Sequence, residues 1–362
     1  MEAVGFFGVR LPRVEADVTA RKHFDWIDTF KGIGILLVVL GHVYNRGLVR
    51  DWIFLFHMPA FFFIGGLTFR VSRSPREQLQ RDAWRLLIPY AAFLHLIYPA
   101  MMLISIARSP QQERVSALVE QLVNLVAGGP LLLGWASVFW FITCLFLTKQ
   151  AYHSLRTRMS LGSTGVAVLL LSATGLAVSY FWPMFWLPWC ADVVLIASFF
   201  FWLGEFISDL RQDPRSARVA AGVGIAAAAA GFYGILNGEA WSMMLKNGDY
   251  GVPVLSLLLA GGTIVALIEV AIVLDRIPGF CRFLRYCGQA SLAIMFMHQP
   301  LQLILRNFFG VADPALRLGV TLVGCLVGYE LMRRTMLTRA LYLGSIVDQR
   351  RLFRGPARET QE

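Results

Sequence analysis

Windows of about 20 apolar residues recur along the whole 362-residue chain, and they constrain its fold more than any other feature. A helix of that length crosses the hydrocarbon core of a bilayer. Only 15% of the residues are charged, whereas a soluble domain carries about a quarter. The sequence therefore predicts an all-α, polytopic transmembrane helix bundle with about ten spans, near residues 27–46, 52–69, 86–106, 135–152, 163–181, 188–207, 217–236, 250–274, 289–309 and 316–335.

Two segments suggest how the bundle is built. Residues 111–130 (QQERVSALVEQLVNLVAGGP) are too polar to cross the membrane, and an amphipathic helix on its surface is expected there. The fifth and seventh spans are rich in Gly, Ala and Ser, small residues that let helix backbones approach closely.

The distribution of basic residues predicts the orientation. With the N-terminus in the cytoplasm, 25 of the 33 Lys and Arg residues fall on the cytoplasmic side and 7 on the outer side. Basic loops favour the cytoplasmic side, so both termini are expected there. The net charge of +10 is then a topology signal, and no nucleic acid is expected as a partner. The chain divides into a cytoplasmic segment 1–24, a membrane domain 25–336 and a basic cytoplasmic tail 337–362.

The first span carries three polar groups, Asp28, Lys31 and His42. Charged residues inside a span are costly and are usually functional or paired. Lys31 and His42 are eleven residues apart, which is close to three helical turns, or about 16 Å along one face. In one interpretation, Asp28 and Lys31 pair and reach the interface, and His42 caps the outer end. In the other, which we favour for His42, the histidine is functional.

The second span, IFLFHMPAFFFIGGLTFR (53–70), contains another histidine, His57. It enters from the same side as His42, so the two imidazoles are expected at similar depth. No cysteine or carboxylate lies near them in sequence, and no metal site is predicted.

These stretches resemble the acyltransferase-3 family of integral-membrane acyltransferases. The resemblance begins with DTFKGIGILLVVLGH, in which Lys31 stands where many members have Arg, and continues with FHMPAFFFIGG. It extends to RDAWRLLIPY (81–90), FWFITCLF (139–146), FFFWLGEFI (199–207) and YCGQASLAIMFMHQPL (286–301). One departure is that Arg81 and Arg85 are four residues apart, where some members have a spacing of three.

The resemblance implies an O-acyltransferase of the bacterial inner membrane. Such an enzyme moves an acyl group, usually acetyl, from cytoplasmic acyl-CoA to a hydroxyl of an extracytoplasmic or lipid-linked carbohydrate. Lys31, Arg81 and Arg85 are then the expected ligands of the CoA phosphates. His42 is the expected general base or, alternatively, a transient acyl carrier. The expected partners are acyl-CoA, the glycan acceptor and membrane lipids, with no tightly bound cofactor; the favoured acceptor is a bacterial exopolysaccharide or similar envelope glycan.

Other polar or aromatic positions are candidates for support of the site or for the acceptor path. These are Asp28, His57, Trp140, Glu205 and His298. A buried histidine hydrogen-bonded between helices is an equally good interpretation of His298, and Glu205 and Glu269 are also explained by pairing with loop arginines. The competing function is a transporter or flippase of a lipid-linked sugar, which also needs about ten spans but not the Lys31–His42 spacing.

Overall fold

The computed structural model describes residues 25–71 and 74–354, which form helices with no β-strand among them. A π-helix (Ala83–Leu87) joins the α-helix Pro75–Asp82 to the α-helix Ile88–Arg108. The α-helices are α1 (Asp25–Val43), α2 (Leu48–Leu67), α3 (Pro75–Asp82), α4 (Ile88–Arg108), α5 (Arg114–Ala127), α6 (Trp140–Arg156), α7 (Leu161–Phe181), α8 (Val194–Leu210), α9 (Pro214–Leu236), α10 (Leu255–Leu274), α11 (Phe280–Gln289), α12 (Ser291–Asn307), α13 (Pro314–Arg333), α14 (Met336–Tyr342) and α15 (Ile346–Arg354). The predicted segment 1–24 lies outside the described residues.

Eight helical segments of the described chain are long and apolar enough to cross a membrane. They contain α1, α2, α4, α7, α8, α9, α10 and α13. The fourth and ninth predicted spans correspond to α6 and α12, each of 17 residues, which is at the short end of the range that can cross a bilayer. The prediction of an all-α transmembrane bundle with about ten spans is confirmed.

Helix α1 lies at the centre of the bundle, where it packs against α2, α10, α11, α12 and α13. Its apolar residues Phe30, Ile35, Val38 and Val39 are fully buried. We call the end of the bundle at which α1 begins the Asp25 end, and the end at which α1 finishes and α2 begins the Val43 end. A central helix brings its polar groups into contact with several neighbours at once.

Two glycines set the closest approach of α1 to another helix. A Cβ atom on Gly32 would overlap the backbone carbonyl of Leu284 in α11, and one on Gly288 would overlap that of Asp28. Small residues therefore hold these two backbones in contact, as in other membrane helix pairs. The glycine-rich α9 packs in the same way on α10, as predicted, since a Cβ on Gly224 would crowd the backbone of that helix.

The segment predicted to be an amphipathic helix forms α5. None of its residues is buried within the protein, and the apolar side chains Val115, Val119 and Val126 are exposed along it. The helix is confirmed, and its contact with the membrane surface stays a prediction.

The predicted basic tail begins with structure that packs on the bundle. Helix α14 packs on α4, and Gln349 of α15 donates hydrogen bonds to the carbonyls of Trp84 (3.0 Å) and Ala340 (2.7 Å). Asp348 accepts from Arg339 Nε at 2.9 Å and from Ser345 Oγ at 2.6 Å, and these bonds lower its pKa to about 2. Helix α14 is thus held on α4 and α15 on the π-helix, and residues 355–362 lie outside the described chain.

Candidate active site

Three histidines from three helices meet near the Val43 end. The ring centroid of His42 (α1) lies 5.2 Å from that of His298 (α12) and 6.5 Å from that of His57 (α2). His57 and His298 are buried, whereas His42 is partly exposed. His42 and His57 thus lie near each other at this end of the bundle, and their depth in the membrane stays a prediction. We call the three residues the histidine cluster.

The two buried histidines are fixed by their own helices. His57 Nδ1 lies 3.0 Å from the carbonyl oxygen of Ile53, and His298 Nδ1 lies 2.8 Å from that of Ile294. A carbonyl oxygen only accepts, so we assign the proton of each neutral ring to Nδ1, which then donates. Each Nε2 is left as an acceptor. His298 Nε2 is buried and has no hydrogen-bond partner in the described part of the chain.

Aromatic packing closes the cluster on the α2 side. The Phe54 ring lies 4.5 Å from the His57 ring and 6.0 Å from the His42 ring, between centroids. The guanidinium of Arg50 lies over the Phe54 ring, with its central carbon 4.0 Å from the ring centroid. Gly41 permits this approach, because a Cβ there would meet the Phe54 ring at 3.1 Å. The small residue that precedes His42 therefore suits this close packing.

Arg317 of α13 ties down the end of α1. Its Nη2 atom donates to the carbonyl oxygen of Val43 at 2.8 Å, and its residue is only 6% exposed. This bond satisfies a carbonyl that the last turn of a helix leaves open. It fixes the backbone immediately after His42.

Lys31 lies nearer the Asp25 end of the same helix and pairs with Asp28 at 3.1 Å, with its side chain 31% exposed. The predicted pair is therefore present. Lower on α1, Thr29 donates to Asp275 at 2.5 Å, and Arg285 donates to the same carboxylate at 2.8 Å. The hydrogen bonds from Arg285 and Thr29 lower the pKa of Asp275. This network anchors the start of α1 to the ends of α10 and α11.

Arg81 and Arg85 flank a buried carboxylate, Asp82. Asp82 accepts from Lys149 of α6 and, at 2.5 Å, from Gln78. Arg81 and Arg85 lie close enough to Lys149 to interact with it electrostatically. Arg85 is exposed and belongs to the π-helix, a geometry frequent at functional sites. The structure thus groups the two predicted arginines with Lys149, on α3, the π-helix and α6, while Lys31 lies on α1 with Asp28.

Glu205 and Trp140 lie in other surroundings. Glu205 accepts from Tyr152 at 2.5 Å and forms an ion pair with Arg156 at 3.0 Å, which joins α8 to α6. Glu269 pairs likewise with Arg211. The alternative in which both glutamates pair with arginines is the one the structure shows. Trp140 is buried at the start of α6, against Phe141.

Sequence reasoning missed four basic residues near these groups: Arg50, Lys149, Lys246 and Arg317. Each lies in or beside a predicted span, and the charge count treated them only as loop charges. Arg50, Lys246 and Arg317 fall on the predicted outer side, which carries only 7 basic residues, and that scarcity was a weak signal of a role. Lys149 falls on the predicted cytoplasmic side and gave no such signal.

Within residues 25–71 and 74–354, no group of three or more His, Cys, Asp or Glu side chains is arranged to hold a metal ion. A partly exposed imidazole beside two buried neutral imidazoles can take a proton from a hydroxyl group that reaches the Val43 end.

Comparison with known proteins agrees with the sequence motifs. A family model described as an acyltransferase domain matches residues 24–332, which include all six motifs and every predicted site residue. Comparisons with curated proteins and with solved structures found no match. Because the family model covers most of the chain, this protein belongs to the acyltransferase-3 family of membrane acyltransferases.

Proposed function

We propose that this protein transfers an acyl group, most simply acetyl, from acyl-CoA on the cytoplasmic side of the membrane to a hydroxyl of a carbohydrate on the outer side. In this proposal both termini lie in the cytoplasm of a bacterium and the chain resides in its inner membrane. The acceptor is an exopolysaccharide or a similar envelope glycan, presented free or lipid-linked.

One observation carries the proposal. His42 is the partly exposed member of a cluster of three histidines, and it stands on the same central helix as Lys31, about 16 Å away along the axis. An acyltransferase that uses a cytoplasmic donor and an outer acceptor needs a donor site near the cytoplasmic side and a base nearer the outer side. A transporter or flippase has no need of the reactive group.

The proposed reaction assigns the base role to His42. A ring nitrogen of His42 takes the proton of the acceptor hydroxyl as its oxygen attacks the thioester carbonyl. The carbonyl–sulfur bond then breaks, and the CoA thiolate leaves with the electron pair and receives the proton. If His42 instead carries the acyl group, its ring nitrogen attacks the thioester carbonyl and the CoA thiolate leaves with the ring proton. The hydroxyl oxygen then attacks the acylimidazole, the bond between the carbonyl carbon and the ring nitrogen breaks, and the imidazole takes the hydroxyl proton.

The donor site in this proposal lies toward the Asp25 end. The CoA phosphates are proposed to bind to Lys31, Arg81 and Arg85. Lys149 is added to this set because it lies close enough to Arg81 and Arg85 to interact with them electrostatically. Phosphates favour such cations, and the long flexible arm of CoA spans the remaining distance toward His42.

The test reconstitutes purified protein in liposomes with radiolabelled acetyl-CoA and a lipid-linked envelope glycan. We expect label in the glycan, and transfer slower by about 10²–10⁴ with a His42→Gln protein. Movement of unlabelled glycan across the membrane without transfer of label would support the transporter alternative and contradict the proposal.

A further inference from the structure

Positive charge is concentrated beside the histidine cluster at the Val43 end. Arg50 and Lys246 both lie close enough to His42 to interact with it electrostatically. Arg50 also contacts the loop that carries Lys246, with its Nη2 atom 3.7 Å from the sulfur of Met244. Arg317 bonds the residue that follows His42. Three cations from three parts of the chain thus surround the proposed reaction centre.

Lys246 carries its charge without a carboxylate partner. The residue is partly buried, and its Nζ atom donates to the carbonyl oxygen of Leu132 at 2.5 Å. It forms no ion pair with any carboxylate of the described chain, and the thiol of Cys190 is the acidic group that acts on it. A partly buried ammonium that faces only a carbonyl leaves a positive charge available to a ligand.

Arg317 is a second cation of this kind. Its guanidinium donates to two backbone carbonyls, those of Val43 (2.8 Å) and Val311 (3.4 Å). Its Nε atom is buried and has no hydrogen-bond partner within the described residues. Backbone carbonyls satisfy donors but do not neutralise a charge, so this buried residue adds to the positive potential around the cluster.

Four carboxylates of the same end are used for local structure. Asp192 and Asp249 each accept from a backbone N–H of their own loop, at 2.9 and 3.0 Å. Asp313 caps the start of α13. Asp51 pairs with Arg50 at 2.7 Å, so it compensates one of the three cations. The charges of Lys246 and Arg317 remain for a bound group to balance.

We propose that Lys246, Arg50 and Arg317 form a binding site for an acidic group of the acceptor, so that the acceptor is an anionic carbohydrate. This inference rests on the acyltransferase function proposed above and narrows its acceptor class. The shared ligand chemistry is a carboxylate, as in a uronic acid, or a phosphate, as in a sugar phosphate. Lys246 and Arg50 are partly exposed and contact the acid, whereas the buried Arg317 positions the end of α1 and adds its uncompensated charge to the field.

Binding of three small probes tests the inference without requiring turnover. Methyl glucuronide carries a carboxylate, glucose 1-phosphate carries a phosphate, and methyl glucoside carries neither. Ligand-observed NMR is recorded with the full-length protein in nanodiscs of zwitterionic lipid. We expect at least one acidic probe to bind about tenfold more tightly than the glucoside. The acidic probe that binds more tightly shows whether the acidic group of the acceptor is a carboxylate or a phosphate.

Variants assign the preference to residues. Lys246→Gln is expected to bring binding of the acidic probe to the level of the glucoside, whereas Lys246→Arg keeps the preference because it keeps the charge. Arg50→Gln is expected to reduce the preference for the acidic probe, and it provides the test if Lys246→Gln does not fold. The control is Arg114→Gln, an exposed arginine of α5, which leaves binding unchanged.

Equal binding of all three probes by the wild-type protein would overturn the inference, and so would an unchanged preference in folded Lys246→Gln and Arg50→Gln proteins. Loss of acyl-CoA binding in these variants would also contradict it, since the cations would then hold the donor. If the protein prefers the acidic probe but transfers no label in the liposome experiment, the binding site is supported and only the acyltransferase proposal is contradicted.

Discussion

The imidazole rings of His42 and His298 lie with their centroids 5.2 Å apart and their planes inclined at 45°. They come from the first and twelfth helices, which pack directly against each other. The hydrogen bond from His298 Nδ1 to the carbonyl of Ile294 leaves its buried Nε2 as an acceptor with no hydrogen-bond partner among the described residues. In the proposed reaction, this acceptor stabilises the imidazolium that forms when His42 takes a proton.

We therefore predict that His298→Leu lowers kcat about tenfold to a hundredfold, the range for losing a hydrogen bond to a charged group. The variant keeps the size of the side chain and removes a buried polar atom without a partner, so the melting temperature should not fall. Steady-state kinetics of the single and double variants with His42→Gln check the coupling. If His298 acts through His42, the double variant is no slower than His42→Gln. Full turnover of His298→Leu would refute the interaction.

The donor site is predicted to depend on Lys31 and Arg85. Lys31→Ala and Arg85→Ala should each raise the Kd for acyl-CoA about tenfold to a hundredfold, because each removes a charge-assisted bond to a phosphate. Isothermal titration with acetyl-CoA measures this. Arg218→Gln is the matched control, since Arg218 is exposed on α9. Unchanged affinity in folded Lys31→Ala and Arg85→Ala proteins would remove both residues from the donor site.

The orientation is predicted from the basic loops. Cysteines introduced at Ser74 and Thr157 should resist an impermeant thiol reagent added to intact cells, whereas one at Asp249 should react. The native cysteines of the described chain are all buried, so the background is expected to be low. Labelling at Ser74 and Thr157 with protection at Asp249 would reverse the topology.

Acceptor binding is predicted to weaken at alkaline pH. Burial lowers the pKa of Lys246 to about 8, so its ammonium is charged below that pH and loses its proton above it. The KM for an acidic acceptor should therefore rise as the pH increases through about 8, while the KM for a neutral acceptor does not. Lys246→Arg should abolish the rise, because arginine stays charged.

Two other titratable groups act near Lys246, namely His42 and Cys190. Cys190→Ser should retain the alkaline rise in KM, which separates the ammonium from the thiol. A flat KM profile in the wild-type protein, or one that persists in Lys246→Arg, would show that Lys246 does not hold the acid.

Much of the fold follows from local pattern. The length and apolarity of each window define the spans, and the spacing of Lys31 and His42 places them on one face of α1 because helical periodicity depends only on neighbouring residues. The amphipathic α5 is predictable for the same reason. The closeness of His42 and His57 follows from the antiparallel course of two consecutive spans.

Contacts between distant helices were beyond such reasoning. Nothing local indicates that α12 lies against α1, so the closeness of His298 to His42 could not be derived. The ion pair between Lys149 of α6 and Asp82 of α3 also joins helices that are distant in sequence, so it could not be derived either. The basic segment that forms α15 has the composition of a solvated tail, yet the buried amide of Gln349 holds it on the π-helix. Long-range packing decides these positions, and periodicity carries no information about it.

The most direct test of the account compares two histidine variants of the purified protein. His42→Gln keeps a hydrogen-bonding side chain but cannot take a proton near pH 7. His95→Gln is its matched control, because His95 also lies on a helix and is exposed, away from the cluster.

Acetyl transfer is measured for both, with acetyl-CoA binding and thermal unfolding in detergent as checks. The account predicts that His42→Gln lowers turnover by about 10²–10⁴, the scale for losing a positioned general base, while its acetyl-CoA affinity and His95→Gln remain near wild type. Near-normal turnover in a well-folded His42→Gln protein would contradict the catalytic role of His42 and leave His57 or His298 as the candidate.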